Sequence, residues 1–288
     1  MPTQSNRMPP HLPQDPDPLI TASKKAPEIY EKVPKWLKEL SLELAGMFSL
    51  IWRFFREVFV PPYEWREVLR QCYLIGFKTL LLITFIAYIA GIVFTKQSRP
   101  SLVSFGAESW LPALVSIAFV RSLGPLITSL VSAGKIGSNI AAELGSMRVS
   151  EQIDAMEVSG TNPFKFLVVS RILATTFMIP TLVIYSDFMG LMGSFTSVNG
   201  YSGTSFALFF DQVFEAIVME DVFYSIGKSV FFGFAIGVIS CYKGYNATNG
   251  TVGVGKGANS AVVISMLLIF ILDLVALQIQ TIFGFNPR

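Results

Sequence analysis

The stretch GTVGVGKG, residues Gly250 to Gly257, is the part of the sequence that comes closest to a nucleotide-binding motif. In the phosphate-binding loop G-x-x-x-x-G-K-[ST], backbone N–H groups cradle the phosphates and the Ser or Thr hydroxyl binds Mg²⁺. Gly250, Gly255 and Lys256 fit that pattern, but Gly257 stands where the hydroxyl residue should be. Apolar segments flank the stretch, and no parallel sheet is predicted around it. We therefore interpret it as a flexible cytoplasmic turn and expect no ATPase site in this chain.

Four charged residues lie inside segments that are otherwise apolar: Arg121, Asp187, Lys228 and Asp273. Each would cost about 2.5–3.5 kcal/mol at the centre of a membrane helix if it had no partner. Counted from the outer ends of the predicted spans, all four lie at similar depth. We predict that Lys228 pairs with Asp273, and Arg121 with Asp187 or with Asp273. The pairs either break and reform as the protein works or are static contacts that let polar helices insert.

The sequence contains no pattern typical of other kinds of catalytic site. The one histidine is His11, in a Pro-rich segment, so no histidine triad or His/Cys metal site can be built. The two cysteines, Cys72 and Cys241, form no C-x-x-C motif, and there is no G-x-S-x-G. The formal net charge of +2 does not suggest a nucleic-acid partner. We expect no metal, no cofactor bound by this chain and no enzyme activity.

Composition and hydropathy indicate an all-α membrane protein. The chain of 288 residues is 52% hydrophobic and 15% charged, where soluble domains carry about 25% charge. Long apolar runs are typical of membrane helices. Five spans are predicted, at 73–95, 111–140, 164–196, 221–242 and 258–284.

The N-terminal region is predicted to precede the membrane domain. Residues 1–34 contain half of the sixteen prolines and are expected to be a disordered tail. Residues 35–72 are expected to form interfacial amphipathic helices, since apolar residues recur at helical spacing through 35–60. A short membrane hairpin or span is the alternative for this segment. Residues 73–288 would then be the five-span membrane domain.

The distribution of Lys and Arg predicts the orientation, because cytoplasmic loops carry the excess of these residues. Ten of the twenty-two precede the first span, whereas residues 197–220 contain none. Lys96, Arg99 and Arg288 are exceptions. The N-terminus, the 141–163 connection and GTVGVGKG are therefore expected to be cytoplasmic, and the C-terminus periplasmic.

The 141–163 connection is too short and too charged to span. Val149, Ile153 and Met156 fall on one helical face, with Arg148 and charged neighbours on another. We predict a short cytoplasmic helix at about 146–160 whose apolar face docks into a groove on a soluble subunit. The alternative is a helix that rests on lipid.

Small residues recur every four positions at two places, a spacing that lets helix backbones approach closely. One set precedes the connection and the other is a GxxxG pair in the fourth span. Packing within the chain and a subunit interface are both open explanations. The two sets are Ala133, Gly137, Ala141 and Gly145, and then Gly233 and Gly237.

Two long motifs resemble one known family. The run RSLGPLITSLVSAGKIGSNIAAELGSMRVSEQIDAMEVSGTNP, Arg121 to Pro163, is similar to the signature of the MlaE-type permeases. These are the membrane subunits of the MCE (mammalian cell entry) lipid ABC transporters. The stretch GYNATNGTVGVGKGANSAVV, Gly244 to Val263, resembles the family's segment before its last span. The resemblance covers roughly 35–285.

The resemblance implies a homodimer of five-span chains in the inner membrane. It implies a pair of cytoplasmic ATPase subunits that use ATP-Mg and dock between spans two and three. A periplasmic MCE-domain protein would exchange phospholipid or a related lipid with the permease. The residues assigned to ATPase coupling are Glu143, Gly145, Arg148, Glu151, Gln152 and Asp154.

Apolar side chains of the first and fifth spans are candidates for a lipid pathway, although a lipid-facing surface needs the same residue types. The candidates are Phe77, Leu81, Phe85, Tyr88, Met266 and Phe270. Two other functions stay open. One is an ion-coupled secondary transporter that uses Asp187 and Asp273, a class that often shows inverted repeats, of which we find none. The other is an integral scaffold without transport.

Overall fold

The computed structural model describes residues 35–61, 63–248 and 250–282. The predicted tail, 1–34, lies outside the described residues. Eight helical elements are present in the described part, which contains no strand, as expected for an all-α protein. They are α1 (Lys35–Val58), α2 (Trp65–Ser104), α3 (Glu108–Val149), α4 (Gln152–Val158), α5 (Phe164–Ser202), α6 (Phe206–Ala216), α7 (Met219–Tyr245) and α8 (Gly250–Ile282).

Five of these helices, α2, α3, α5, α7 and α8, are long and apolar enough to cross a bilayer. The protein is a multi-pass membrane protein, as the composition predicts. The shortest of the five has 27 residues, which is about 40 Å at 1.5 Å per residue, against a hydrocarbon core of about 30 Å. α2 extends beyond the predicted first span at both ends, so residues 65–72 continue into the membrane helix instead of forming a separate interfacial helix.

The two membrane faces can be told apart by the elements that lie there. α4 connects α3 to α5 at one face, which we call the α4 side. The start of α2, the end of α7 and the start of α8 also lie at this face. α6 connects α5 to α7 at the opposite face, the α6 side.

The chain divides into two compact units after Gly46, so α1 belongs to both. In the described part of the first unit, Leu42 and Leu44 are exposed. In the second unit α1 buries Leu50 and Phe54. Its other face, together with the residue just after its end, exposes four aromatic rings at spacings of four and three residues. They are Phe48, Trp52, Phe55 and Phe59.

Three stretches of π-helix interrupt the spans, at Phe119–Leu123 and Ala133–Gly137 in α3 and at Phe164–Val169 in α5. Each stretch contains one Lys or Arg whose side chain donates a hydrogen bond to a residue outside that helix. π-bulges are frequent at functional sites because they re-aim side chains. The contacts are Arg121 to the Asp221 carboxylate, Lys135 to the Lys78 carbonyl and Lys165 to the Val60 carbonyl.

Glycines let α2 and α5 approach each other closely. A Cβ on Gly193 would lie 2.1 Å from the carbonyl oxygen of Tyr88, and one on Gly91 would lie 2.0 Å from the carbonyl oxygen of Gly190. The obstacle in both cases is backbone, which cannot rotate away as a side chain could. Any larger residue at these positions must separate the helices.

We therefore expect Gly193→Val to destabilise the protein by about 1–3 kcal/mol or more, as overpacking does. Gly255→Ala is the matched control, because nothing lies within 4 Å of the Cβ that it adds to helix α8. That control should be neutral or stabilising by up to about 1 kcal/mol. Thermal unfolding of the detergent-solubilised variants measures both. Equal melting temperatures for the two variants would contradict the close approach.

The two predicted sets of small residues pack within the chain. A Cβ on Gly233 would lie 2.6 Å from the Thr175 carbonyl oxygen, and one on Gly145 would lie 3.2 Å from Ala247 Cβ. These intrachain contacts account for the glycines, so the spacing does not require a subunit interface.

The prediction for GTVGVGKG is wrong in part. The stretch is not a flexible turn but the first turns of α8. Gly250 has a φ of +64°, a left-handed conformation that glycine adopts readily. A Cβ on Gly253 would collide with the carbonyl oxygen of Thr248 at 1.4 Å, so the helix start requires glycine there. The glycines serve helix entry and packing.

α6 was not predicted, since residues 197–220 read as a connection. Its N-terminus is capped by the Ser205 hydroxyl, which accepts a hydrogen bond from the Leu208 N–H. Phe209 and Val213 are buried against Leu111 and Val115 of α3. The spacing of Phe209 and Val213, one turn apart after a capping serine, is the signal that could have revealed the helix.

Candidate functional site

The first predicted charge pair is present between α7 and α8. Lys228 Nζ lies 2.9 Å from Asp273 Oδ1, and their side chains are 3% and 10% exposed. The Lys228 ammonium also lies 5.6 Å from the centre of the Tyr224 ring. Removing either partner would leave a buried charge without compensation.

The second pair differs from the prediction. Arg121 donates from Nη2 to Asp221 Oδ1 at 2.5 Å and from Nε to the same oxygen at 2.9 Å. It therefore pairs with neither Asp187 nor Asp273. Asp221 lies in the first turn of α7, where the sequence placed it at the end of a span. The sequence analysis did not predict the π-helical stretch that carries Arg121.

Asp187 is the member of the set without an ion pair among the described residues. It is 9% exposed, and its Oδ1 has no hydrogen-bond partner in the described part of the chain. The carboxyl lies against α3 at Gly124, where a Cβ would be 1.7 Å from Oδ1. We define the charge cluster as Arg121, Asp187, Asp221, Lys228 and Asp273.

A cavity of about 350 Å³ adjoins the charge cluster between α7 and α8. Lys228 and Tyr224 lie at its polar end, and the remaining lining is apolar, including Phe231, Phe232 and Val275. A site with one charged end and apolar walls suits an amphiphilic molecule.

The six lipid-pathway candidates do not line this cavity. Phe77, Leu81 and Phe85 form an exposed stripe on α2, and Phe270 is exposed on α8. The last two are partly buried: Met266 packs on the main core, and the Tyr88 hydroxyl is 2.9 Å from that of Thr196. Their role in a pathway stays a prediction.

α4 is shorter than the predicted helix at 146–160. Glu151 has a φ of 58°, which ends α3 and lets a new helix begin at Gln152. Arg148 Nη1 bridges the break to Asp154 Oδ1 at 2.5 Å. Ile153 is fully buried in the main core. The chain itself covers Ile153 and part of Met156, whereas Val149 of the predicted apolar face is exposed, and docking of this face into a partner stays a prediction.

The outward side of α4 carries polar groups and one apolar residue. Val158 is 91% exposed, the highest value among the large apolar residues described. We define the coupling surface as Glu151, Gln152, Asp154, Glu157 and Val158, which are all exposed. Glu151, Gln152 and Asp154, which the sequence analysis assigned to ATPase coupling, are thus exposed and available to a partner.

Glu143 and Gly145 make contacts within the chain, and their role in ATPase coupling stays a prediction. Glu143 Oε1 lies 2.9 Å from Arg171 Nη2, with side-chain exposures of 56% for Glu143 and 2% for Arg171. Arg171 also donates to the Leu167 carbonyl. The sequence analysis missed Arg171, although an arginine well inside the predicted third span was the signal that could have found it.

Comparison with known proteins agrees with this architecture. The family described as Permease MlaE matches residues 68–279. A probable ABC transporter permease protein of Rickettsia typhi is 34% identical over 231 residues, covering 80% of this chain and 88% of that protein. One of Synechocystis is 34% identical over 228 residues, covering 79% and 87%.

A plant relative matches as well. The Arabidopsis thaliana protein named TRIGALACTOSYLDIACYLGLYCEROL 1, chloroplastic, is 36% identical over 212 residues, covering 74% of this chain and 61% of that protein. The family match spans most of the residues that form the five spans, the charge cluster and the coupling surface. This chain therefore belongs to the MlaE permease family and is the permease subunit of an ABC transporter.

Proposed function

We propose that this permease moves phospholipid or a related lipid between the inner membrane and the outer envelope. The observation that carries the proposal is the charge cluster beside an apolar cavity, inside the membrane region of an ABC permease. A lipid has a charged or polar headgroup and apolar chains, so it matches both parts of that site. The plant relative's name contains a galactolipid, which supports a lipid substrate.

The energy comes from other subunits. The family lacks an ATPase domain, so partner ATPase subunits are implied. We propose that they bind ATP-Mg in the cytoplasm and dock on the coupling surface. The N-terminus and the α4 side would face the cytoplasm and the C-terminus the periplasm. A second copy of this chain and a periplasmic MCE-domain protein would complete the transporter.

Native mass spectrometry of the complex purified from membranes tests this proposal directly. We expect two copies of this chain, ATPase subunits and bound lipid. Reconstituted vesicles should move a fluorescent phospholipid only with ATP and the ATPase present. Transport by the isolated chain, without any other subunit, would refute the proposal.

Asp187 favours one alternative, a proton- or ion-coupled transporter, because its buried Oδ1 has no hydrogen-bond partner among the described residues. Asp273, the other carboxylate of that hypothesis, is already paired with Lys228. The two functions differ in one measurement. If the alternative is correct, a proton gradient should drive transport without ATP, and Asp187→Asn should abolish that transport. If the proposed function is correct, a proton gradient alone should drive no transport.

The coupling surface makes a separate prediction. Val158→Asp should reduce the amount of ATPase that co-purifies by about tenfold or more, because an exposed apolar residue in a protein interface is replaced by a charge that must be desolvated. Val103→Asp is the control, since Val103 is an exposed valine at the far end of α2. Equal ATPase recovery from both variants would remove Val158 from the interface.

A further inference from the structure

A groove of about 280 Å³ lies on the α4 side, between the end of α1, the start of α2 and the first half of α5. It is separate from the cavity beside the charge cluster. Its inner wall is a stripe on α5 formed by Val169, Leu173 and Phe177, each one turn apart. From Lys165 to Phe177 the helix rises about 18 Å at 1.5 Å per residue. The groove therefore runs from the membrane surface into the apolar interior.

The mouth of the groove carries both signs of charge. Glu57 and Glu64 line it, and neither carboxylate has an ion-pair partner within the described ranges. Lys165 is 9% exposed, and its ammonium donates to the Val60 carbonyl. A lysine ammonium has three N–H donors, so this contact leaves capacity for an anionic acceptor.

Aromatic rings complete the mouth. The ring centres of Tyr63 and Trp65 are 5.9 Å apart, and Phe59 lines the same groove. The Lys165 ammonium lies 5.8 Å from the centre of the Tyr63 ring, so Trp65 and Phe59 are the rings that offer a cation–π contact to a further ammonium group. Tyr and Trp also favour the headgroup level of a bilayer. The mouth thus offers a cation for a phosphate, and carboxylates with aromatic rings for an amine.

We propose that this groove binds one zwitterionic aminophospholipid from the leaflet on the α4 side. Its phosphate contacts Lys165, its amine lies between Glu57, Glu64 and the aromatic rings, and one acyl chain follows the α5 stripe. A lipid that carries only negative charge would face two carboxylates. The volume is near the lower end of ligand sites, about 300–1,000 Å³, so it holds part of a lipid, with the second chain in the bilayer.

Competition between lipids tests the headgroup preference. The intact complex is reconstituted in nanodiscs with equal amounts of phosphatidylethanolamine and phosphatidylglycerol, and retained lipid is counted by native mass spectrometry. We expect phosphatidylethanolamine to be enriched. The double variant E57Q/E64Q should lower the enrichment by about tenfold or more, which is what losing one charge-assisted hydrogen bond produces. E215Q is the control, because Glu215 is an exposed carboxylate on α6 that does not line the groove.

A photo-crosslinking arm uses the unaltered protein and so does not depend on any variant folding. Phosphatidylethanolamine with a diazirine in its acyl chain should label the peptide that contains Leu173 and Phe177. Soluble phosphoethanolamine at the same concentration should not suppress the labelling. Equal retention of phosphatidylglycerol, absence of label on that peptide, or displacement by the soluble headgroup would each overturn the proposal. None of these readouts measures transport, so their failure would leave the proposed function standing.

Discussion

Asp273→Lys should abolish lipid transport, and adding Lys228→Asp to the same chain should restore a measurable part of it. The single variant places two ammonium groups where an ion pair with a 2.9 Å contact is now buried. Breaking a buried pair costs about 3–5 kcal/mol of stability, so the arrangement of α7 and α8 on which transport depends should be lost. ATP-driven transfer of a fluorescent lipid between vesicles measures the effect.

The control for charge reversal is Asp211→Lys, because Asp211 is exposed on α6, outside the charge cluster. That variant should transport normally. A fully active Asp273→Lys protein would show that the Lys228–Asp273 contact has no part in transport.

A neutral double variant separates the two explanations that the sequence leaves open for the pair. In Lys228→Met with Asp273→Asn, neither member of the pair carries a charge, so neither leaves a buried charge without its partner and the protein should fold. If the pair only lets polar helices insert, this variant keeps its transport activity. If the pair breaks and reforms during each cycle, the variant stays folded but loses transport.

Hydropathy and charge alone predicted much of this molecule. The five spans follow from apolar runs, since a membrane requires helices of sufficient length. The Lys228–Asp273 contact follows from the similar depth of the two residues in the membrane. In an apolar medium, opposite charges at the same depth are stable when they pair. The sequence also indicated that GTVGVGKG departs from the phosphate-binding loop, but it did not predict that the stretch is helical.

The rest depends on local geometry that residue spacing does not encode. Arg121 pairs with Asp221 because a π stretch carries it, and π-helix has no distinct hydropathy pattern. Ile153 was assigned to a partner's groove because periodicity finds an apolar face but not what covers it. Resemblance to the family placed Glu143 at the ATPase contact, which stays a prediction, but it did not indicate the ion pair of Glu143 with Arg171.

α3 joins the charge cluster to the α4 side. Arg121 lies in its first π stretch and Glu143 near its end, which is about 33 Å apart at 1.5 Å per residue. Both residues make ion pairs with other spans, Arg121 with α7 and Glu143 with α5. A movement of α3 therefore strains both contacts at once. Helix α3 is the element through which an ATPase on the coupling surface would reach the charge cluster.

Glu143→Arg should uncouple ATP hydrolysis from transport, and the structure adds that it should also destabilise the protein. It removes the partner of Arg171, whose side chain is 2% exposed, and brings a second guanidinium close to it. Loss of one partner of a buried pair costs about 3–5 kcal/mol. Because Glu143 itself is half exposed, water will reduce that cost, so we expect the lower end of the range. The melting temperature should fall together with transport.

Coupling and stability can be separated in a variant that removes both charges. Glu143→Gln with Arg171→Met leaves no buried charge without a partner, so the melting temperature should return close to that of the unaltered protein. If the Glu143–Arg171 contact transmits motion along α3, the complex should still hydrolyse ATP while transport falls by about tenfold or more, since the loss of one charged contact corresponds to that factor. Glu215→Gln, a neutralised carboxylate on α6 that lies outside both the pair and the coupling surface, should leave the ratio of lipid moved to ATP hydrolysed unchanged. An unchanged ratio in the double variant would show that the contact only holds α3 and α5 together.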